Sequence, residues 1–295
     1  MTKADASLSK SPLISVSELK QLIGGDTDVS LGQSVLVFDC RFQLDKPEWG
    51  QAAFLESHLP GAQFLDLDRD LSSQVKPGVT GRHPLPQPQA LASTLRDKGV
   101  NESSIVVVYD DGPGFFAARA WWLLRWLGHD KVVVLDGGFK AWQTEGGTIA
   151  HGEADHLPAG NFQATVAQDM IVTVDEVMAS LRTNDLTLID ARAQPRFRGE
   201  VEPIDPVAGH IPGAVCLPCN ENVDEQGHFL ESTVLAERIG PVGQESDRVC
   251  YCGSGVTACH NILAAAVAGL PLPRLYAGSW SEWITEPDRP IATGD

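Results

Sequence analysis

The chain repeats itself, and this repeat constrains the fold more than any other feature of the sequence. Four short blocks of the first half recur in the same order in the second half. The pairs, first copy before second, are Val35-Leu-Val-Phe-Asp39-Cys-Arg41 with Leu186-Thr-Leu-Ile-Asp190-Ala-Arg192, His58-Leu-Pro-Gly-Ala62 with His210-Ile-Pro-Gly-Ala214, Ile105-Val-Val-Val-Tyr-Asp110 with the run ending Val249-Cys-Tyr-Cys252, and Gly137-Gly-Phe-Lys-Ala-Trp142 with Gly278-Ser-Trp-Ser-Glu-Trp283. Ordered self-similarity of this kind indicates that one domain of ordinary size has been duplicated.

The repeat divides the chain of 295 residues into two domains. We place the first domain at residues 12–146 and the second at residues 169–295. The segment between them, 147–168, is rich in Gly, Pro, His and acidic residues and is interpreted as a linker.

Each copy alternates apolar β-branched runs with helix-like stretches. The runs 34–38, 105–109 and 131–135 show little alternation of polar and apolar residues, which is typical of strands covered on both faces. The stretches 117–127 and 257–268 have helical composition. Strands that alternate with helices form parallel crossover units, so we predict an α/β fold in each half, with a mainly parallel sheet flanked by helices.

The charge of the chain excludes some partners. Lys and Arg number 22 against 39 Asp and Glu, a formal net charge of −17. So acidic a chain repels phosphate backbones and anionic lipids, so we expect no nucleic-acid or membrane partner.

The compartment is predicted from two further features. The first twelve residues lack the apolar core of a secretory signal, and no later apolar run reaches membrane-spanning length. The six cysteines are too sparse and unevenly spaced for a disulfide scaffold, so we expect reduced thiols and a cytoplasmic location. Cys216-Leu-Pro-Cys219 has the spacing of a metal-binding CxxC but no second ligand pair, so we expect no metal site.

The two copies differ at the residue that ends their central strand. The first copy has Asp110 there, and the second has Cys252, followed by Gly253-Ser254-Gly255-Val256-Thr257. In a strand, a tight Gly-x-Gly turn and then a helix, successive backbone N–H groups can point at one atom, here the cysteine sulfur. The donors and the helix N-terminus favour the thiolate, so Cys252 is predicted to be nucleophilic near neutrality.

This loop resembles a known family. Cys252-Gly-Ser-Gly-Val-Thr257, together with Asp190-Ala-Arg192, His210-Ile-Pro-Gly213 and Gly278-Ser-Trp280, is similar to the C-terminal domain of tandem rhodanese-type sulfurtransferases. The loop resembles the 3-mercaptopyruvate branch, because thiosulfate-preferring members usually carry basic residues directly after the cysteine. Here those positions are the neutral Gly253 and Ser254.

The resemblance implies a reaction without a metal or organic cofactor. Cys252 would take sulfur from a small anionic donor, hold it as a persulfide and pass it to cyanide, a small thiol or thioredoxin, with ping-pong kinetics. The loop residues Gly253, Ser254, Gly255, Val256 and Thr257 would bind the substrate and the persulfide. The first domain would be non-catalytic, because Asp110 cannot perform this chemistry.

The resemblance also points to residues outside the loop. Arg196 lies where the family places an arginine that binds the substrate anion, and Arg198 is a weaker candidate. A second substrate arginine is expected shortly before His210, but the segment 199–209 contains none, and Asp205 lies near its place. The two-arginine clamp therefore looks incomplete, which weakens the assignment of the donor.

Four residues leave a choice between function and structure. Ser254 could bind a donor carbonyl or relay a proton, and His58 resembles the N-domain histidine that some mechanisms of the family join to this serine. His58 recurs as His210, however, which favours a structural histidine at the Pro-Gly turn. Cys250 and Cys259 are interpreted as core residues, although either could serve redox regulation.

Other reactions remain to be weighed. A thiosulfate sulfurtransferase is the second enzyme candidate, and a non-enzymatic persulfide-relay or binding module is the candidate of another class. A cysteine phosphatase needs an arginine six positions after the cysteine to grip phosphate, and this position is Ala258. We therefore exclude the phosphatase.

Overall fold

Two parallel β-sheets, one in each half of the chain, form the framework of the molecule. The structure is a computed structural model that describes residues 11–24, 34–243 and 247–295. The first sheet consists of β1 Leu13–Ile14, β2 Val35–Asp39, β3 Gln63–Phe64, β4 Ile105–Tyr109 and β5 Val132–Leu135, in the order β1-β5-β4-β2-β3. Most of the N-terminal segment examined for a secretory signal lies outside the described residues.

The second sheet repeats the first. It consists of β6 Leu186–Asp190, β7 Val215–Cys216, β8 Asp247–Tyr251 and β9 Arg274–Leu275, in the order β7-β6-β8-β9. A parallel bridge from Ile171 to Leu275 lies where β1 lies in the first sheet. All strand pairs between these elements are parallel, so the predicted fold class is confirmed.

Helices cover the faces of both sheets. The first half contains α1 Val16–Gly24, α2 Trp49–Glu56, α3 Pro88–Asp97, α4 Ala117–Trp126 and α5 Gly138–Thr144. The second half contains α6 Val174–Thr183, α7 Gln194–Phe197, α8 Ser232–Ile239, α9 Ala258–Val267 and α10 Ser279–Trp283, with 3₁₀ turns at Gln168–Met170 and Cys219–Asn222. Within the described part of the chain, no helix is both long and apolar enough to cross a membrane.

Local sequence explains where several elements begin. Pro88 stands in the first turn of α3, where its missing N–H costs no hydrogen bond. Thr173 and Glu176 form a reciprocal capping box at the start of α6. Every residue of β4 is buried, as its unbroken apolar run predicts for a strand covered on both faces.

A buried ion pair lies at the carboxyl end of β2 in the first half and of the corresponding strand β6 in the second. Arg41 contacts Asp39 at 2.7 Å, and Arg192 contacts Asp190 at 2.6 Å. All four side chains are almost inaccessible to water. The recurrence of Asp-x-Arg in both copies therefore marks a structural contact.

One of the hydrophobic core clusters spans both halves, and each half also has a cluster of its own. Helix α4 packs against α9, and residues of both helices belong to a single buried cluster that includes Trp121 and Trp122. This contact brings the loop before α9 close to elements of the first half. Residues 145–167 contain no helix or strand, and Phe162 and Thr165 bond to backbone carbonyls of the first half.

Candidate active site

Cys252 follows directly on the last residue of β8, at the carboxyl end of the sheet. Its side chain is buried, and the backbone N–H of Gly255 donates a hydrogen bond of 3.2 Å to Sγ. The Cys252 N–H donates to Ser279 Oγ at 3.1 Å, and its carbonyl accepts from the Trp280 N–H at 3.0 Å. The sulfur is therefore held between the loop and the start of α10.

Gly255 is required by the geometry of the loop. Its φ is +78°, a region that favours glycine, and a Cβ built there would collide with the carbonyl oxygen of Ala277. The loop can fold this tightly around Sγ only because the residue has no side chain. Val256 and Thr257 then lead into α9, Val256 buried and Thr257 at the N-cap position without a capping hydrogen bond.

Two arginine side chains lie over Gly253. A Cβ built at Gly253 would stand 2.8 Å from Arg82 Nη2 and 3.5 Å from Arg196 Nη2. Arg196 comes from α7 of the second half, whereas Arg82 comes from a loop of the first half. Guanidinium groups suit carboxylate and sulfonate anions, so this pair forms a candidate anion subsite beside the cysteine loop.

Two carboxylates complete the surroundings of these arginines. Asp205 contacts Arg82 through Oδ1 and Arg196 through Oδ2, the latter at 3.1 Å. Glu202 accepts from Nε and Nη2 of Arg196 at 3.1 and 2.8 Å. Burial raises the pKa of Asp205, and the charge of Arg82 opposes this shift. Although burial opposes it, hydrogen bonding to Arg196 lowers the pKa of Glu202.

Ser254 belongs to a chain of three polar side chains that spans both halves. Its Oγ lies 2.7 Å from Nδ1 of His83, and Nε2 of His83 lies 3.3 Å from Oδ1 of Asp68. Burial lowers the pKa of His83, against the influence of Asp68. The neutral imidazole that results can accept the hydroxyl proton of Ser254 at Nδ1 while its Nε2–H faces Asp68.

A buried arginine of α4, Arg119, connects the cysteine loop to the segment that carries His83. Arg119 is inaccessible to water and donates from Nη1 to the Gly255 carbonyl at 3.0 Å. Its Nη2 donates to the carbonyls of His83 at 3.2 Å and Leu71 at 3.5 Å. Arg119 therefore fixes the cysteine loop and the histidine in one frame.

The corresponding loop of the first half is filled by its own carboxylate. Asp110 accepts backbone hydrogen bonds of 2.8 to 3.2 Å from four N–H donors, those of Gly112, Gly114, Phe116 and Ala117. The carboxylate is buried and occupies the position that corresponds to the Cys252 side chain. The Asp110 carboxylate thus already uses the N–H donors of this loop.

The structure brings most of the sequence-predicted residues together, with two exceptions. Arg198 pairs with Asp295 at 2.6 Å on the surface rather than with the loop. His58 does not contact Ser254: its Nδ1 lies 2.7 Å from the Phe54 carbonyl and its ring stacks on Phe54. The histidine beside Ser254 is His83, so the resemblance of His58 to the mechanistic histidine pointed to the wrong residue.

Five residues of the site were not predicted from the sequence: Asp68, Arg82, His83, Arg119 and Glu202. Arg82 and His83 lie next to each other in a loop rich in Pro and Gly, residues 77–88. The residues on either side of them, Gly81 and Pro84, have no ionisable side chain. Adjacent ionisable side chains in such a loop are a signal of function, because loops carry binding residues disproportionately. Their position at Cys252 depends on the contact between the two halves.

Residues 15–145 and 173–286 each match the family of rhodanese-like domains. The chain belongs to the rhodanese family. A relative from Pseudomonas aeruginosa, named "Probable 3-mercaptopyruvate sulfurtransferase", is 56% identical over 265 residues, which cover 88% of this chain and 93% of the relative.

Two further comparisons concern the identity of the sulfur donor. A Mycobacterium tuberculosis (strain H37Rv) protein with the provisional name thiosulfate sulfurtransferase SseB is 40% identical over 287 residues, covering 96% of this chain and 97% of its own. The crystal structure of SseA from Escherichia coli, described under 3-mercaptopyruvate sulfotransferases, superimposes with a TM-score of 0.78 and 34% identity, covering 92% of this chain and all of its own. The relatives thus carry the names of both donors.

Proposed function

We propose that the chain is a sulfurtransferase that moves sulfur from 3-mercaptopyruvate, through a persulfide on Cys252, to a thiophilic acceptor. The observation that carries the proposal is the set of groups around one sulfur: the Gly255 N–H on Sγ, two guanidinium groups over Gly253, and the Ser254–His83 hydrogen bond. These groups can stabilise a thiolate, bind a carboxylate and move a proton, respectively.

The first half-reaction follows from this arrangement. The Cys252 thiolate attacks the donor sulfur, a sulfur–sulfur bond forms, and the carbon–sulfur bond of the donor breaks. Its electron pair leaves on carbon as the enolate of pyruvate, which must gain a proton to become pyruvate. The proton of the donor thiol is the one that carbon gains, and Ser254 with His83 can relay it.

The second half-reaction restores the enzyme. A cyanide ion or the thiolate of a small thiol or of thioredoxin attacks the outer sulfur of the persulfide, and the electron pair of the sulfur–sulfur bond returns to Cys252. The Gly255 N–H supports the anionic sulfur at both stages. Because the two transfers are separate, the kinetics are ping-pong.

The Ser254–His83–Asp68 chain favours 3-mercaptopyruvate over thiosulfate. An enolate leaving group must be protonated on carbon, whereas the sulfite that leaves thiosulfate is stable as an anion and needs no proton. A proton relay beside the cysteine therefore serves the carbon–sulfur donor. Thiosulfate is the second candidate, supported by the name of the Mycobacterium tuberculosis relative.

Replacement of Cys252 tests the proposal. Cys252→Ser should abolish sulfur transfer from 3-mercaptopyruvate to cyanide and the adduct of about 32 Da that donor treatment leaves on the chain. The control is Cys216→Ser, because Cys216 is only half-buried and lies on β7, away from the loop. Full turnover by Cys252→Ser would contradict the proposal. If the wild-type chain forms the adduct but does not transfer its sulfur to small acceptors, the result would favour the persulfide-relay module.

The domain boundaries and the location extend the proposal. We assign residues 12–146 and 169–295 to the two domains, with 147–168 as the linker, which limited proteolysis would test. The six cysteines are free thiols, which supports a reducing, cytoplasmic location that cell fractionation would check.

A further inference from the structure

The anion subsite beside Cys252 is electrically balanced by the chain itself. Two guanidinium groups, of Arg82 and Arg196, face two carboxylates, of Glu202 and Asp205. The carboxylates are almost fully buried, with 4% and 3% of their side chains exposed, whereas the Arg82 side chain is 30% exposed. A donor anion therefore meets arginines that already have negative partners.

The two carboxylates have different roles. Glu202 is tied into the loop by several bonds: it accepts from Arg196, from the backbone N–H groups of Ile204 and Asp205, and lies 3.4 Å from Arg192. The Asp205 carboxylate, in contrast, accepts hydrogen bonds from Arg82 through Oδ1 and from Arg196 through Oδ2. It bridges the same two guanidinium groups that a donor carboxylate would use.

From this geometry we propose that Asp205 is a specificity-determining residue, the resident counter-ion of the donor subsite, which disfavours dianionic donors relative to monoanionic ones. The inference deepens the proposed function and rests on it. A donor in the subsite lies beside the Asp205 carboxylate, and the repulsion scales with the donor's charge. Thiosulfate, a dianion, therefore loses about twice as much binding free energy as the monoanion 3-mercaptopyruvate.

The position of Arg82 explains how the chain can carry Asp205 near the place where a second arginine was expected. Arg82 supplies the second cation from the other half of the molecule, so the clamp is complete without an arginine in residues 199–209. The absence of an arginine from residues 199–209 therefore does not weaken the proposed donor. Asp205 then adds a selection by charge that a pair of arginines alone does not give.

Asp205→Asn removes the charge and keeps the shape of the side chain. With cyanide as acceptor, we expect kcat/KM to rise about 5-fold for 3-mercaptopyruvate and about 25-fold for thiosulfate, since the second change is the square of the first. The matched control is Glu200→Gln, which makes the same charge change on an exposed side chain of the same segment and should change both donors by less than about 2-fold. Equal changes for both donors, or a fall for both, would overturn the inference.

A binding measurement separates this inference from the proposed function. Pyruvate, a monoanion, and sulfate, a dianion, should protect Cys252 from alkylation by iodoacetamide, and Asp205→Asn should lower the half-protecting concentration of sulfate more than that of pyruvate. This readout needs no turnover, so it decides the role of Asp205 even if the wild-type chain transfers no sulfur. Identical shifts for the two anions would refute the role, whereas absent turnover alone would refute only the proposed function.

Discussion

A buried histidine between the two halves should make the stability of the molecule sensitive to acid. His260 on α9 is inaccessible to water, and its Nε2 lies 2.8 Å from the carbonyl of Pro113 in the first half. Its Nδ1 lies 3.2 Å from the side-chain nitrogen of Asn222. Burial lowers the pKa of His260 to about 4. The neutral ring, with Nε2–H donating to Pro113 and Nδ1 accepting from Asn222, fits this site.

The pKa difference between the folded and unfolded states sets the size of the effect. An unfolded histidine titrates near pH 6.5, about 2.5 units above the folded value of about 4, and each unit corresponds to about 1.4 kcal/mol. The folded pKa is the lower one, so the stabilisation is complete above about pH 6.5 and is lost as the pH falls towards 4. His260 alone should then remove about 3 kcal/mol from the free energy of unfolding.

Chemical denaturation at several pH values measures this loss. His260→Gln keeps an amide N–H for Pro113 but cannot be protonated, so the difference in free energy of unfolding between wild type and variant should shrink by about 3 kcal/mol from about pH 7 to about pH 4. His156→Gln is the control, because His156 is exposed and folding changes its surroundings little. A difference that stays constant with pH would refute the reasoning, since the lost contacts alone do not titrate.

Two further variants test the loop and its proton relay. Ser254→Ala removes the hydroxyl beside His83 and should lower kcat with 3-mercaptopyruvate about 100-fold but kcat with thiosulfate less than about 3-fold, measured with cyanide as acceptor; equal losses would contradict the relay. Gly255→Ala should lower the free energy of unfolding by about 3 kcal/mol in denaturant, because the new Cβ meets the Ala277 carbonyl and φ is +78°. Gly213→Ala, with φ +79° and open space for a Cβ, should cost only about 1 kcal/mol, and similar losses at both positions would exclude the collision.

The parts of the structure that could be predicted are those with local causes. The buried β-branched run 105–109 became β4 with the predicted bounds, because every residue of it contacts covering layers. The cysteine loop follows β8 as predicted, since a strand, two glycines and a helix lie next to one another in the chain. Because the sequence blocks repeat, the same arrangement of strands and helices was predicted for the second half.

The partners of the cysteine loop could not be predicted, because they arrive through contacts between distant segments. His83 is 171 residues from Ser254 along the chain, and Arg82 is 123 residues from Asp205. No local sequence pattern predicts contacts between residues so far apart in the chain. They follow from how the loop 77–88 lies against α10, where the Arg82 N–H donates to Ser281 Oγ at 3.0 Å.

His58 and His210, the corresponding histidines of the two copies, make the same contacts. His58 Nδ1 lies 2.7 Å from the Phe54 carbonyl, and His210 Nδ1 lies 2.8 Å from the Phe197 carbonyl. Each ring stacks on that same phenylalanine, with centroids 4.0 and 3.7 Å apart. A residue that makes the same contacts in both copies serves the fold, because only one copy carries the cysteine.

The same reasoning explains why the site needs the half that lacks a cysteine. The anion in the first loop is a fixed carboxylate, so Asp110 can be satisfied by N–H groups of its own loop alone. The sulfur of Cys252 must change between thiolate and persulfide while a donor enters and leaves, so its loop has to stay open to the donor and cannot close around the anion in this way. Arg196 comes from the same half as Cys252, whereas the other half contributes Arg82 and Arg119 as further cations and His83 as the proton acceptor of the proposed relay. The first copy thus supplies groups that the cysteine loop of the second copy does not contain, although the first copy itself has no cysteine at this position.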